Sequence, residues 1–396
     1  MKDKSKNNNS KDLNDYGRDK EMRLNKFLVW SMLALFLSLV VIITALASDS
    51  SGSDYPKTIV DSAGRKVTIQ NPVQRIIVNN GDAAEAIIML GEGDKIVAVS
   101  DTVKQKASYY FPMLKGIQSV GTFNKLDYEL IAEIAKGSSD TIVPDIIFIG
   151  YSYPGKAYGI EAHEKALAPF KNITFVGLDF FYPENMTVEL EKLGVILNKE
   201  AEAKEYINWY NEKASDIKEA VKGTSMPKIY VEWNAKGNDL SGMGPTSGAG
   251  QMVKTVNAFN IFSGRTEGYP VVDWEYIVSQ KPEIIIKRQA SASDAKALGW
   301  EAPPSEEAVK LEKALQEIMD RPAAATVPAV KNGKVYIFNW DFMAGPDQIV
   351  GLTYLAKVIH PEVDLDPESV YKEYLQRIGL KYPEGRIFYY PQLGTT

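Results

Sequence analysis

One phrase occurs twice in this chain and constrains its fold more than any other feature. Asp127-Tyr128-Glu129-Leu130-Ile131 is followed by Pro144-Asp145-Ile146-Ile147-Phe148-Ile149, and Asp273-Trp274-Glu275-Tyr276-Ile277 by Lys281-Pro282-Glu283-Ile284-Ile285-Ile286. Each copy reads as a short helix carrying an acidic residue, a Pro-acid stop, and a β-branched run. Such a run between turn signals suits a strand buried on both faces of a parallel sheet. Two copies about a lobe apart predict two similar α/β lobes.

The rest of the chain from Thr58 onward repeats that alternation. Thr58–Val60 and Lys66–Ile69, around Asp61-Ser62-Ala63-Gly64-Arg65, read as a hairpin. Arg75–Val78, Lys95–Val99, Asp145–Ile149 and Ile173–Gly177 read as strands separated by helices. From Glu184 to Lys222 apolar residues recur mostly at helical spacing. An unbroken helix there would be about 50 Å long and would act as a rigid spine, with Gly194 and Asn198 as its weak points. After Gly223 the alternation restarts. The expected division is an N-terminal lobe over 57–183, a spine helix over 184–223 and a C-terminal lobe over 224–396.

Residues 1–26 are polar and read as a disordered cytoplasmic tail. Phe27–Ala47 is uncharged and about long enough to span a bilayer. Arg23 and Lys26 before it, with Asp49 and Asp54 after it, place the remainder outside the membrane. Residues 48–56 form a Ser/Gly/Asp linker. Ala45-Leu46-Ala47 also resembles a signal-peptidase site, and Met22 would serve as a signal-peptide start, so a cleaved, secreted form stands beside the anchored one.

Composition excludes several functions. A net charge of −6 argues against nucleic acid as a partner. The absence of cysteine removes disulfides, thiolate metal sites, a cysteine nucleophile and lipid attachment through cysteine. Two histidines, His163 and His360, are too few for a histidine-built zinc site. The Gly-rich loop Gly242–Gly250 lacks the Lys-Ser/Thr of a phosphate loop, and Ser247 is not in a nucleophile elbow. No enzyme, cofactor or resident metal is expected.

Strand ends carry more information, because ligands of open α/β sheets sit beyond the carboxyl ends of the strands. Those ends are Asn80, Asp82, Asp101, Tyr151 and Tyr153 in the first half, and Trp233, Asn234, Arg288, Trp340, Asp341 and Phe342 in the second. Taken singly, each aromatic fits ordinary interface packing. As a set they suit a cleft for a mid-sized, partly flat ligand. Asn172-Ile173-Thr174 and Asn185-Met186-Thr187 are sequons that permit N-glycosylation on the exported side.

These pieces resemble the solute-binding proteins of the iron-siderophore and cobalamin class that serve ABC importers. The resemblance covers Tyr55 to about Ile378. It rests on Val60-Asp61-Ser62-Ala63-Gly64-Arg65-Lys66-Val67 with Pro72 and Arg75–Val78, on Leu90–Val99, on the doubled phrase, and on Asn260-Ile261-Phe262. It implies two Rossmann-like lobes with mostly parallel sheets, one long interlobe helix, and a ligand held between the lobes. It further implies that Glu129 and Glu275 dock onto arginines of the permease, where two exposed carboxylates would steer and register the partner. The tail and uncleaved anchor resemble archaeal members.

This chain departs from the pattern at Gly137–Val143, at Asn257-Ala258-Phe259 in place of Gly-Gly, and in a long polar excursion from Gln289 to Pro304. The expectation is a monomeric, membrane-anchored extracellular protein that captures a metal chelate and delivers it to an ABC permease dimer with its ATPase. A ferric siderophore-type complex comes first and a corrinoid second. Tyr151, Tyr153, Trp233, Arg288, Trp340 and Asp341 are the expected ligand contacts, the aromatics stacking and Arg288 offsetting anionic charge. The alternative is an exported surface or sensor domain of the same fold, uncoupled from any transporter.

Overall fold

Ile146–Gly150 is buried at every position, as a strand covered by helices on both faces must be. The computed structural model describes residues 55–107, 111–136, 146–170, 172–236, 239–289, 304–385 and 387–392. The expected tail 1–26, the apolar span 27–47 and the linker up to 54 lie outside the described residues, as do 137–145 and 290–303. Among the described residues no helix is long and apolar enough to cross a membrane.

In the first lobe the hairpin strands β1 (Lys57–Val60) and β2 (Lys66–Ile69) pair antiparallel as expected. They lead into β3 (Arg75–Val78), α1 (Gly81–Met89), β4 (Ile96–Val99), α2 (Asp101–Ala107) and β5 (Gln118–Ser119). A small ribbon, β6 (Gly121–Thr122) with β7 (Lys125–Leu126), precedes α3 (Tyr128–Lys136), β8 (Ile146–Gly150), α4 (Ile160–Ala166) and β9 (Ile173–Gly177). The parallel sheet runs in the order β5-β4-β3-β8-β9. The chain therefore moves outward from β3 on one side and restarts at β8 on the other. A reversal of that kind leaves a crevice beyond the carboxyl ends of the strands.

The connection between lobes is helical but bent, which corrects the expectation of a single spine. It consists of α5 (Met186–Leu197) and α6 (Glu200–Ala220), separated at Asn198. Asn198 adopts left-handed dihedrals, φ 59° and ψ 43°. Asparagine tolerates that conformation, and it ends the helix. The longer piece spans about 30 Å. Tyr55 Oη donates to the Ile196 carbonyl, tying α5 to the first lobe, whereas Trp209 Nε1 on α6 donates to Glu373 of the second at 2.7 Å.

The second lobe comprises β10 (Lys228–Lys236), β11 (Asp239–Gly242), α7 (Gly248–Thr255), β12 (Phe259–Asn260), β13 (Val271–Val272), α8 (Trp274–Gln280) and β14 (Ile284–Gln289). It continues with α9 (Pro304–Met319), α10 (Pro328–Lys331), β15 (Val335–Asn339), α11 (Gln348–Ile359), α12 (Pro367–Arg377) and β16 (Tyr389–Tyr390). Its sheet runs β13-β11-β10-β14-β15-β16, parallel through β10, β14 and β15 and antiparallel towards both edges. The edge strands β13 and β16 are two residues long, too short to show alternation in sequence. The two-lobed α/β fold is as expected. One apolar cluster runs through both lobes, taking Val78 and Ile149 from the first sheet, Leu193, Tyr206 and Tyr210 from the connecting helices, and Ile286 and Phe338 from the second.

Candidate functional site

The strand ends of the two lobes converge on one cavity of about 180 Å³. Tyr151 and Tyr153, just beyond β8, form one wall with Phe181. Trp233 near the end of β10 and Trp340 just after β15 form the other with Tyr269. Asp82 at the start of α1 and Gly248 and Ala249 at the start of α7 close the ends, with Met243, Met343 and Ala344.

The rings of the first wall lie one on another. Tyr151 and Tyr153 stack at 4.9 Å between centroids and 29°, and Tyr153 stacks on Phe181 at 5.9 Å. Tyr153 has a φ of 31°, a backbone region that side-chain-bearing residues seldom occupy. Buried Asp179 holds this turn, accepting from the Ser152 N–H at 2.9 Å and from the Ser152 hydroxyl. Burial raises the Asp179 pKa, against the lowering effect of those two bonds. Burial also keeps the Tyr153 phenol well above its ordinary range, so it is a neutral hydroxyl.

The second wall carries the charge. Trp233 meets Tyr269 at 5.2 Å and Trp340 edge-on at 6.4 Å. The Arg288 guanidinium lies 3.4 Å from the Trp233 ring centroid, a cation–π stack. Burial brings the Arg288 pKa down to about 10, while Asp341 and Tyr269 oppose the shift, so the group stays cationic at neutral pH. Its buried Nη1 has no hydrogen-bond partner among the described residues. The arrangement can stack on a flat ligand and offset negative charge.

Of the six residues expected to contact ligand, Tyr151, Tyr153, Trp233 and Trp340 line the cavity; Arg288 does not line it but stacks on Trp233, and Asp341 does not line it but acts electrostatically on Arg288. Of the other strand-end residues, Asp82 joins them and the remaining four do not. Phe342 is fully buried in the core, and Asn80 is buried as the N-cap of α1, accepting from the Asp82 and Ala83 N–H groups. Asp101 accepts from Ser119, and Asn234 is exposed on the far end of β10. Phe181 and Tyr269 were missed because they sit on loops without periodicity. The aromatic run Phe180-Phe181-Tyr182 was the one available signal for the first of them.

Glu129 and Glu275 are exposed, each in the first turn of its helix. Asp127 and Asp273 cap these helices, accepting from Leu130 N–H at 3.0 Å and Tyr276 N–H at 2.8 Å. The aromatic preceding each glutamate is anchored inward. Tyr128 Oη is 2.9 Å from Nδ1 of buried His163, and Trp274 Nε1 donates to the Pro322 carbonyl at 2.7 Å. Of the two sequon asparagines, Asn185 is exposed, whereas Asn172 is half-buried and donates to the Ala135 carbonyl at 3.0 Å. Among the described residues no group of three or more His, Asp or Glu is placed to hold a metal.

Residues 76–339, more than half of the chain, match the family described as periplasmic binding protein. The molybdate-binding protein MolA of Haemophilus influenzae is 20% identical over 365 residues, spanning 86% of this chain and 96% of its own. YvrC of Bacillus subtilis, an uncharacterized ABC transporter substrate-binding lipoprotein, is 22% identical over 318 residues, spanning 78% and 87%. Among solved structures, the TroA-like periplasmic binding protein FepB from Veillonella parvula matches with a TM-score of 0.66 at 19% identity, over 84% of this chain and 99% of that one. A structure described as the ABC-type Fe3+-hydroxamate transport system from Saccharomonospora viridis matches with a TM-score of 0.54 at 19% identity, over 77% and 99%. These structural likenesses concern the two-lobed fold. Relatives of the chain are substrate-binding proteins of ABC transporters. With its strand-end cleft and this match, the chain belongs to the periplasmic binding protein family.

Proposed function

We propose that this protein is the substrate-binding component of an ABC importer and captures an anionic metal chelate in its interlobe cleft. The supporting observation is the cleft's make-up: stacked phenols on one wall and, on the other, a tryptophan backed by a half-buried guanidinium. Rings at both sides suit a ligand with flat organic faces, and the Arg288 guanidinium suits a negatively charged one. A ferric siderophore-type complex is the first choice and a corrinoid the second. Glu129 and Glu275 are the proposed permease contacts. Residues 27–47 are the proposed membrane anchor of a monomer whose binding lobes stand outside the cell.

A second reading has its own observation. A cavity of 180 Å³ is below the roughly 300 Å³ at which sites for drug-sized ligands begin. It suits a small oxyanion, and one relative is named as a molybdate-binding protein.

Titration of the full chain with ferric citrate, a ferric hydroxamate, cyanocobalamin and molybdate, followed by tryptophan fluorescence, separates these readings. Quenching by a ferric complex that is lost in Trp233→Phe is the expected result. Quenching by molybdate alone would replace the chelate with the oxyanion. No response to any of the four would defeat the transport reading and favour an uncoupled surface domain.

A further inference from the structure

Two fully buried acids of the described residues do not line the cavity but lie on segments that lead into it. Glu85 on α1 is fully buried, as is Asp347 at the start of α11. Glu85 Oε1 accepts from the Asp347 main-chain N–H at 3.1 Å and from the Tyr374 hydroxyl of α12. The same segment is held a second time from the first lobe. Gly345 N–H and Gln348 Nε2 both donate to the Phe180 carbonyl, each at 3.2 Å. Gly345 has a φ of 98°, and a Cβ there would stand 3.1 Å from Glu85 Oε2. Tyr206 of α6 donates to the Pro346 carbonyl and completes the enclosure. Burial, reinforced by the nearby carboxylates, keeps the Tyr206 and Tyr374 phenols protonated and able to donate.

A buried carboxylate is costly unless its oxygens are hydrogen-bonded, and an apolar side chain would fill the same space without that cost. What the carboxylate adds is direction: it binds one N–H of one loop and so fixes where that loop lies. Each of the three segments meeting here continues into the cleft. Asp82 lies one turn before Glu85, Phe181 follows Phe180, and Met343 and Ala344 precede Gly345. Trp340 is on the same loop.

We propose that Glu85 is a positioning residue that sets the spacing between the two cleft walls, by pinning the loop bearing Trp340 and Met343 to the lobe bearing Asp82 and Phe181. The inference rests on the cleft being the ligand site, and its test has one arm that needs no ligand.

In the first arm, amide hydrogen exchange is measured on the ligand-free full chain. Glu85→Ala is expected to speed exchange at 343–348 and 180–182 by about tenfold or more, with Ile146–Gly150 and Ile284–Gln289 unchanged. Glu85→Gln keeps an oxygen acceptor at the same place and is expected to restore protection. In the second arm, Glu85→Ala is expected to weaken ferric citrate binding by about tenfold or to shift its ratio to molybdate binding, again with rescue by Glu85→Gln.

Unchanged exchange, or equal acceleration in both sheets, overturns the proposal, since the residue then holds nothing or merely holds the fold. Local acceleration with unaltered affinity and selectivity for both probes overturns it too. If Glu85→Ala does not fold, Tyr374→Phe, which removes the Tyr374 hydroxyl donor, is read in the same way. Local acceleration in a chain whose wild type binds neither probe would sink the ligand assignment while leaving the pin itself demonstrated.

Discussion

Acidification should destabilise this protein through His163, and the size of the effect follows from its surroundings. The imidazole is 1% exposed, packed on Phe148 at 5.4 Å between ring centroids and bonded to Tyr128 through Nδ1. Burial lowers its pKa from 6.5 to about 4, against a weaker raising effect of the hydrogen bond at Tyr158. Between those two values the unfolded chain binds the proton and the folded chain does not. Stability therefore rises with pH through the window and is lost as pH falls through it. The full displacement corresponds to about 3 kcal/mol, of which about 2 kcal/mol is spent between roughly pH 7 and pH 5. Urea unfolding of the wild type and of His163→Gln over that range isolates the contribution, because carboxylate titration is common to both. The difference in unfolding free energy should narrow by about 2 kcal/mol on going to about pH 5. Curves that stay parallel within about 0.5 kcal/mol would show that the ring is already charged, or solvated, in the folded state. Since Tyr128 sits beside Glu129, the same protonation should loosen the start of α3.

Arg321→Leu should cost about 3–5 kcal/mol in urea unfolding. The substitution strips Glu232, 1% exposed, of the Arg321 bonds at 2.6 and 2.9 Å; a loss below about 1 kcal/mol would mean that water or another donor reaches the carboxylate. Gly248→Ala places a Cβ 2.2 Å from the Phe181 carbonyl across the cleft, so it should cost about 1–3 kcal/mol and change ferric citrate affinity, whereas unaltered unfolding and binding would contradict the tight approach. Glu129→Arg with Glu275→Arg should abolish uptake in cells while leaving ligand affinity intact, and unchanged uptake would refute their proposed role at the permease. Arg288→Leu should weaken binding of an anionic chelate by roughly tenfold or more, checked by the same fluorescence titration; equal affinity would remove the cation from the site.

What the chain states locally is legible without its structure. Ile146–Ile149 and Ile284–Ile286 announce strands because a β-branched run between Pro-acid and polar stops can bury both its faces. Once the strands are known, their carboxyl ends follow, and with them Tyr151, Tyr153, Trp233 and Trp340. Local patterns also locate Asn198 as a weak point of the connecting helix, though not the break itself. Helical spacing continues on either side of that residue, and a left-handed residue leaves no periodic trace.

Other features are decided by contacts between residues far apart in the chain. Phe342 and Trp340 are two residues apart at the same strand end, yet one is buried in the core and the other lines the cleft. Tyr269 joins Trp233 from a loop, and Arg288 is half-buried with its guanidinium stacked on Trp233. Glu85 reads in sequence as one more helix acid; only folding brings the Asp347 N–H and the Tyr374 hydroxyl to it. Sequence by itself determined the long buried strands and where they end, because hydrophobic period and turn chemistry act between near neighbours. The tertiary structure alone decided which side chains share the cleft and which carboxylates are buried, because desolvation and hydrogen-bond partners exist only once distant segments pack together.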